Sequence, residues 1–188
     1  MTWSDQSDVV FFKVQVHRWV CWLAVTLTFF NGAASAWGQE MSEYQIKAGF
    51  LYNFAALTKW PTAVGGALNL CVYGRDPFGA ELDVLQGKVA GSRTLVVQRK
   101  SAGESLKACQ IVFIPGSEAA HIQPQITALQ GLPTLTVAES PDAARLGVML
   151  NLRLSEGRIT FEANQGAARR AGLTLSSKML RLATEVYP

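Results

Sequence analysis

The sequence predicts a layered α/β domain: a mostly parallel central sheet, an antiparallel hairpin at one edge and helices on both faces. Three observations carry this. Apolar runs alternate with helix-like segments from Leu68 onward. The runs LNLCVYG (68–74) and CQIVFIP (109–115) are apolar almost throughout, as strands buried on both faces are. Finally, VMLNLRL (148–154) and RITFEAN (158–164) flank only Ser155-Glu156-Gly157, a hairpin signal.

The elements follow in order. Residues 1–18 end in His17 and Arg18, and the uncharged run VCWLAVTLTFF (20–30) follows. Ala34-Ser35-Ala36 then fits the small-x-small rule. This is the pattern of a secretory signal peptide cleaved near Ala36, with an uncleaved anchor as the alternative. The run is well short of the roughly 20 residues that span a bilayer. Residues 37–188 then suit a single domain, exported to the periplasm.

Within that domain, SEYQIKAGFLYNFAALT (42–58) has Ser42 as a cap and Ile46, Phe50, Phe54 and Leu57 at helical spacing, before Trp60-Pro61 stops it. Asp76-Pro77 should open a helix running to Leu85. TLVVQRK (94–100) is the next strand, followed by a short helix near 103–107. Ser117 should cap a helix reaching Gln130, kinked at Pro124. LPTLTVAE (132–139) is the fourth strand, and Pro141 begins a helical turn. Helices at 165–171 and 176–184 complete the chain.

In an oxidising compartment Cys71 and Cys109 are expected to pair, with two buried free thiols as the alternative. A bridge requires Cα atoms about 4.4–6.8 Å apart, and neighbouring strands lie about 4.8 Å apart. Pairing therefore makes the first and third strands neighbours, as in the flavodoxin-like order 2-1-3-4. Closing that loop would stabilise by roughly 4 kcal/mol.

The formal net charge is +3, and the basic residues are scattered. No basic stripe with interleaved aromatics points to nucleic acid. Past the signal, His121 is the one histidine, so neither a Ser-His-Asp arrangement nor a metal site is expected, and no cofactor is implied. No G-x-G-x-x-G or Walker pattern occurs. Two places remain. One is the crest after the first strand, with Tyr73, Arg75 and Phe78 as a possible small-ligand site; Asp76 and Pro77 there also read simply as a helix start. The other is RITFEAN. Ile159, Phe161 and Ala163 alternate with Arg158, Thr160 and Glu162, and Asn164 fits an N-cap. Glu162 then lies on the polar face, either as an exposed strand residue with Arg158 or a helix arginine as counter-ion, or as a contact for a partner.

The segments KAGFLYNFAALTKWP, LNLCVYGRDPFG, ACQIVFI, GVMLNL and GRITFEANQGAARRAGLTLSSKMLRLA, in this order, resemble the YfiR-like periplasmic proteins over about residues 43–184. The resemblance implies a regulator and no catalytic residues. It implies a homodimer that binds the periplasmic sensor domain of a membrane-bound diguanylate cyclase, represses cyclic di-GMP synthesis and thereby restrains biofilm formation. It places the partner surface at Glu162 and Ala168, flanked by Phe161 and Arg158. Ala168 is smaller than the apolar residue expected there. The Cys71–Cys109 pair is retained, whereas the second cysteine pair of some relatives, around 139–150, is missing.

Overall fold

Ser42 opens the first element of the computed structural model, which describes residues 41–188. The expected signal segment lies outside the described residues. The Ser42 hydroxyl accepts from the Gln45 amide, and the Gln45 side chain accepts from the Ser42 amide, closing a capping box on α1 (Glu43–Leu57). The helix stops before Trp60-Pro61. Thr58 turns extended, its hydroxyl donates to the Phe54 carbonyl at 2.7 Å, and Thr58-Lys59 becomes a short strand, β1.

The main sheet is built from β2 (Ala67–Tyr73), β3 (Val89–Ala90), β4 (Arg93–Lys100), β5 (Ile111–Ile114), β6 (Leu135–Ala138), β7 (Leu150–Ser155), β8 (Arg158–Asn164) and β10 (Glu185–Tyr187). Their spatial order is β10-β8-β7-β6-β5-β2-β4-β3. The strands β4, β2, β5, β6 and β7 run parallel, β8 is antiparallel to β7, and β10 is parallel to β8. The expected 2-1-3-4 order is therefore present as β4-β2-β5-β6. A Cys71–Cys109 disulfide joins β2 to the approach of β5, with Cα atoms 5.9 Å apart. A second small sheet pairs β1 with β9 (Thr174–Leu175).

Helix α1 covers one face, packing Leu51, Phe54 and Ala55 on Leu68, Leu70, Leu150 and Phe161. The other face holds the disulfide and a second cluster that includes Val112, Ile114, Ile122 and Leu129. The last two come from α3 (Ile122–Ala128) and its C-terminal end.

Four expected helices are corrected. The Asp76 carboxylate accepts from the Phe78 amide at 2.8 Å, a side-chain turn that competes with helix. Helix α2 is consequently only Ala80–Asp83. Residues 103–107 form no helix, with turns at each end and irregular chain between. Ser117 does not cap: Gly116–His121 is a 3₁₀ helix, broken at Glu118 before α3 begins. Pro124 falls in the first turn of α3, where a missing amide costs little, so it introduces no kink of its own. The expected helix 176–184 is confined to α5 (Ser177–Leu180), because the chain then extends into β10. Helix α4 (Gln165–Arg170) forms where expected, with the Asn164 side chain accepting from the Ala167 amide at 2.7 Å.

Candidate functional site

Glu156 and Gly157 make the hairpin, and both have positive φ, 50° and 73°. This two-residue turn matches the twist of the flanking strands. It fixes the register at Ser155↔Arg158, so Asn151 lies opposite Glu162 and Arg153 opposite Thr160. Residues directly opposite in an antiparallel pair share a face. Asn151, Arg153, Thr160 and Glu162 therefore form one polar patch, while Leu152, Phe161 and Ala163 enter the core below α1.

Glu162 is held rather than free. Its Oε2 accepts from Asn151 Nδ2 at 2.9 Å, and its Oε1 lies 3.5 Å from an Arg153 guanidinium nitrogen. Its side chain is 14% exposed and that of Arg153 43%. The counter-ion is thus Arg153, diagonally across the hairpin, and not Arg158 or a helix arginine. Asn151 is fully buried and also donates to the Ser140 carbonyl at 2.9 Å. Asn151 Oδ1 and Ser140 Oγ are buried beside this network without a hydrogen-bond partner among the described residues. The turn carrying Ser140 and Ala144 is tied to both strands of the hairpin, since Asn164 Nδ2 also donates to the Ala144 carbonyl at 2.8 Å.

The other expected contact residues are divided by the sheet. Arg158 is exposed at the hairpin. Phe161 stacks edge-on with Phe50 and Phe54 and is 3% exposed, while Ala168 is wholly buried on the inner face of α4. These two shape the surface from below and present no side chain to a partner in this conformation.

The crest after β2 has a different character from an open ligand site. Tyr73 and Phe78 are buried, Phe78 against Tyr44 and Phe113. Asp76 and Asp83 both bind Arg99, which holds this loop to β4. Gly74 approaches Glu118 so closely that a Cβ would meet the Glu118 carboxylate. Only Arg75 of the three crest residues is exposed.

An ionic cluster that sequence reasoning missed lies nearby. Lys47, 4% exposed on α1, pairs with Glu139 at 2.5 Å and with Glu43. Glu139 also accepts from the Gly116 amide at 3.0 Å and the Tyr44 hydroxyl at 3.3 Å. Burial alone would lower the Lys47 pKa, but the bonds to Glu139 and Glu43 outweigh it and the net shift is upward. Burial and the Glu139 charge raise the Tyr44 pKa. With Glu43 one turn away on the same helix and Glu139 just past the end of β6, Lys47 clamps α1 to the carboxyl end of the sheet. Helical spacing marks Glu43 and Lys47 as neighbours, but Glu139 is 92 residues away and no local signal reveals it.

No helix among the described residues is long and apolar enough to cross a membrane. The fold is similar to the crystal structure of a conserved domain protein from Vibrio cholerae O1 biovar El Tor str. N16961, with a TM-score of 0.52 and 13% identity. That likeness covers 78% of this chain and 61% of the other, so this chain spans less than two thirds of its relative. The more specific match is in sequence, where residues 44–184 match the YfiR/HmsC-like model, a family of periplasmic regulators. The hairpin patch, the Lys47–Glu139 pair and the disulfide all fall inside that span, and the chain belongs to the YfiR/HmsC-like family.

Proposed function

We propose that this protein is exported to the periplasm, where it binds the periplasmic sensor domain of an inner-membrane diguanylate cyclase and represses cyclic di-GMP synthesis. Family membership supports the regulatory class. The observation that carries the surface is the Glu162–Arg153 pair, held by buried Asn151 on the part-exposed polar face of the hairpin. A preorganised acid–base pair loses little side-chain entropy on docking and sets the register of a partner's charges. Phe161 and Ala168 would support that surface from beneath, and Arg158 would extend it. Repression then requires that the protein bind the inactive cyclase more tightly than the active one. The functional unit is a homodimer in this proposal, checked by light scattering of the purified protein.

The test is co-purification from solubilised membranes together with cellular cyclic di-GMP. Glu162→Arg should abolish capture of the cyclase and raise cyclic di-GMP. Glu162→Gln keeps the acceptor for Asn151 and should give an intermediate effect. Wild-type capture and repression by a folded Glu162→Arg protein would overturn the assignment of the hairpin surface.

A further inference from the structure

Ala167, Arg170 and Ala171 line a recess of about 340 Å³ that also touches α3 and the turn before β7. Its walls include Ile126, Leu129, Leu146 and Met149, all aliphatic or thioether. The two threonines on its floor are already engaged: Thr134 donates to the Cys109 carbonyl, and Thr136 accepts from the Met149 amide. Leu146, at the lip, is 49% exposed. An apolar side chain so placed gains from being covered.

The charge in the recess is one-sided. Arg170 is the charged residue among those lining it and makes no ion pair among the described residues; one of its guanidinium nitrogens and the Pro188 carbonyl both lie against Gly166. Its place in the last turn of α4 suits the helix dipole, which accounts for a cation at that position. It does not account for a cation bordering an aliphatic recess, where a carboxylate would find a charge-assisted partner. The side-chain amides of Gln123 and Gln130 provide further polar groups. The volume lies at the small end of the range for ligand sites. At about 30 Å³ per water molecule it corresponds to about ten waters, hence to a ligand of about ten heavy atoms.

We propose that this recess binds a small aliphatic carboxylate, its chain against Ile126, Leu129 and Met149 and its carboxylate on Arg170. The site is separate from the hairpin patch and from the crest after β2, and its existence does not depend on the repressor reading.

Octanoate, with an eight-carbon chain and one carboxylate, is the probe, and neutral octanol is the control. Titrated into the ¹⁵N-labelled exported protein, octanoate should shift the Gly131 and Gly147 amide signals saturably, with a dissociation constant on the order of 1 mM. Arg170→Gln changes an exposed residue and should weaken octanoate by about tenfold while leaving octanol unchanged. Ala171→Phe, filling the recess from a part-exposed position, should block both. Failure of octanoate to move these glycines, a non-saturating shift showing an adventitious additive only, or equal weakening of octanol by Arg170→Gln would each overturn the proposal.

Discussion

Glu162 takes both of its side-chain partners from β7, and the turn length decides which residues those are. A three-residue turn, as the sequence suggested, would set Leu150 opposite Glu162. The observed two-residue turn sets Asn151 there and brings Arg153 within reach. Because side chains alternate, a shift of one residue exchanges the polar and apolar faces. The polar face of β8 was legible from alternation alone; the identity of the counter-ion was not. Asn151→Ala should destabilise the protein by about 1–2 kcal/mol, because Ser140 and Glu162 lose a buried donor, and urea denaturation would measure this. Lys47 gives a larger effect. Lys47→Met leaves Glu139 buried without its cation and should cost about 3–5 kcal/mol by the same measurement. The pH dependence follows from the upward shifts of Lys47 and Tyr44. A group held protonated more strongly in the folded state contributes fully below its unfolded pKa, which is about 10 for these two types. That contribution is lost as pH rises through the folded values. The urea midpoint, followed from neutral pH, should hold steady from this cluster's standpoint until about pH 10 and fall above it.

At the scale of elements, strong local signals gave the long pieces and tertiary pairing gave the short ones. Helix α1 was legible because a capping box and an apolar stripe coincide within one segment. Strands β1, β9 and β10 are two or three residues long, too short for any periodicity, and exist because a neighbouring strand receives them. The expected helix from Asp76 shrank because Asp76 satisfies the backbone locally and then binds Arg99. The β7–β8 turn offers a direct test of local chemistry. Glu156 has a φ of 50°, which costs a glutamate more than an asparagine. Glu156→Asn should stabilise by about 0.5 kcal/mol without altering the register. Gly157→Val, at a φ of 73°, should destabilise by more than 1 kcal/mol. Thermal unfolding of the two variants should move in opposite directions. A common direction would show that the turn does not govern this hairpin.

For the whole molecule, two cysteines separated by 38 residues carried most of the topological information. Pairing across adjacent strands excludes sequential strand order, and the sheet has the order β4-β2-β5-β6. What the cysteines could not convey is how far the sheet continues: β7, β8 and β10 extend it beyond β6 and carry the hairpin patch. The same bridge sets a limit on its own importance. Leu70, Cys71 and Val72 already pair with Ile111, Val112 and Phe113 in a fully buried parallel ladder. The native sheet therefore has strong reasons to form without the bond, and the disulfide acts chiefly by restricting the unfolded chain. Cys71→Ala/Cys109→Ala should lower stability by about 4 kcal/mol while keeping the folded sheet, as read by denaturation and circular dichroism. Reduced wild-type protein should match the double variant. If the hairpin surface serves repression as proposed, the double variant should still capture the cyclase at temperatures where it remains folded. Loss of capture by a folded double variant would instead tie the partner surface to the disulfide, on the far side of β6 from the hairpin.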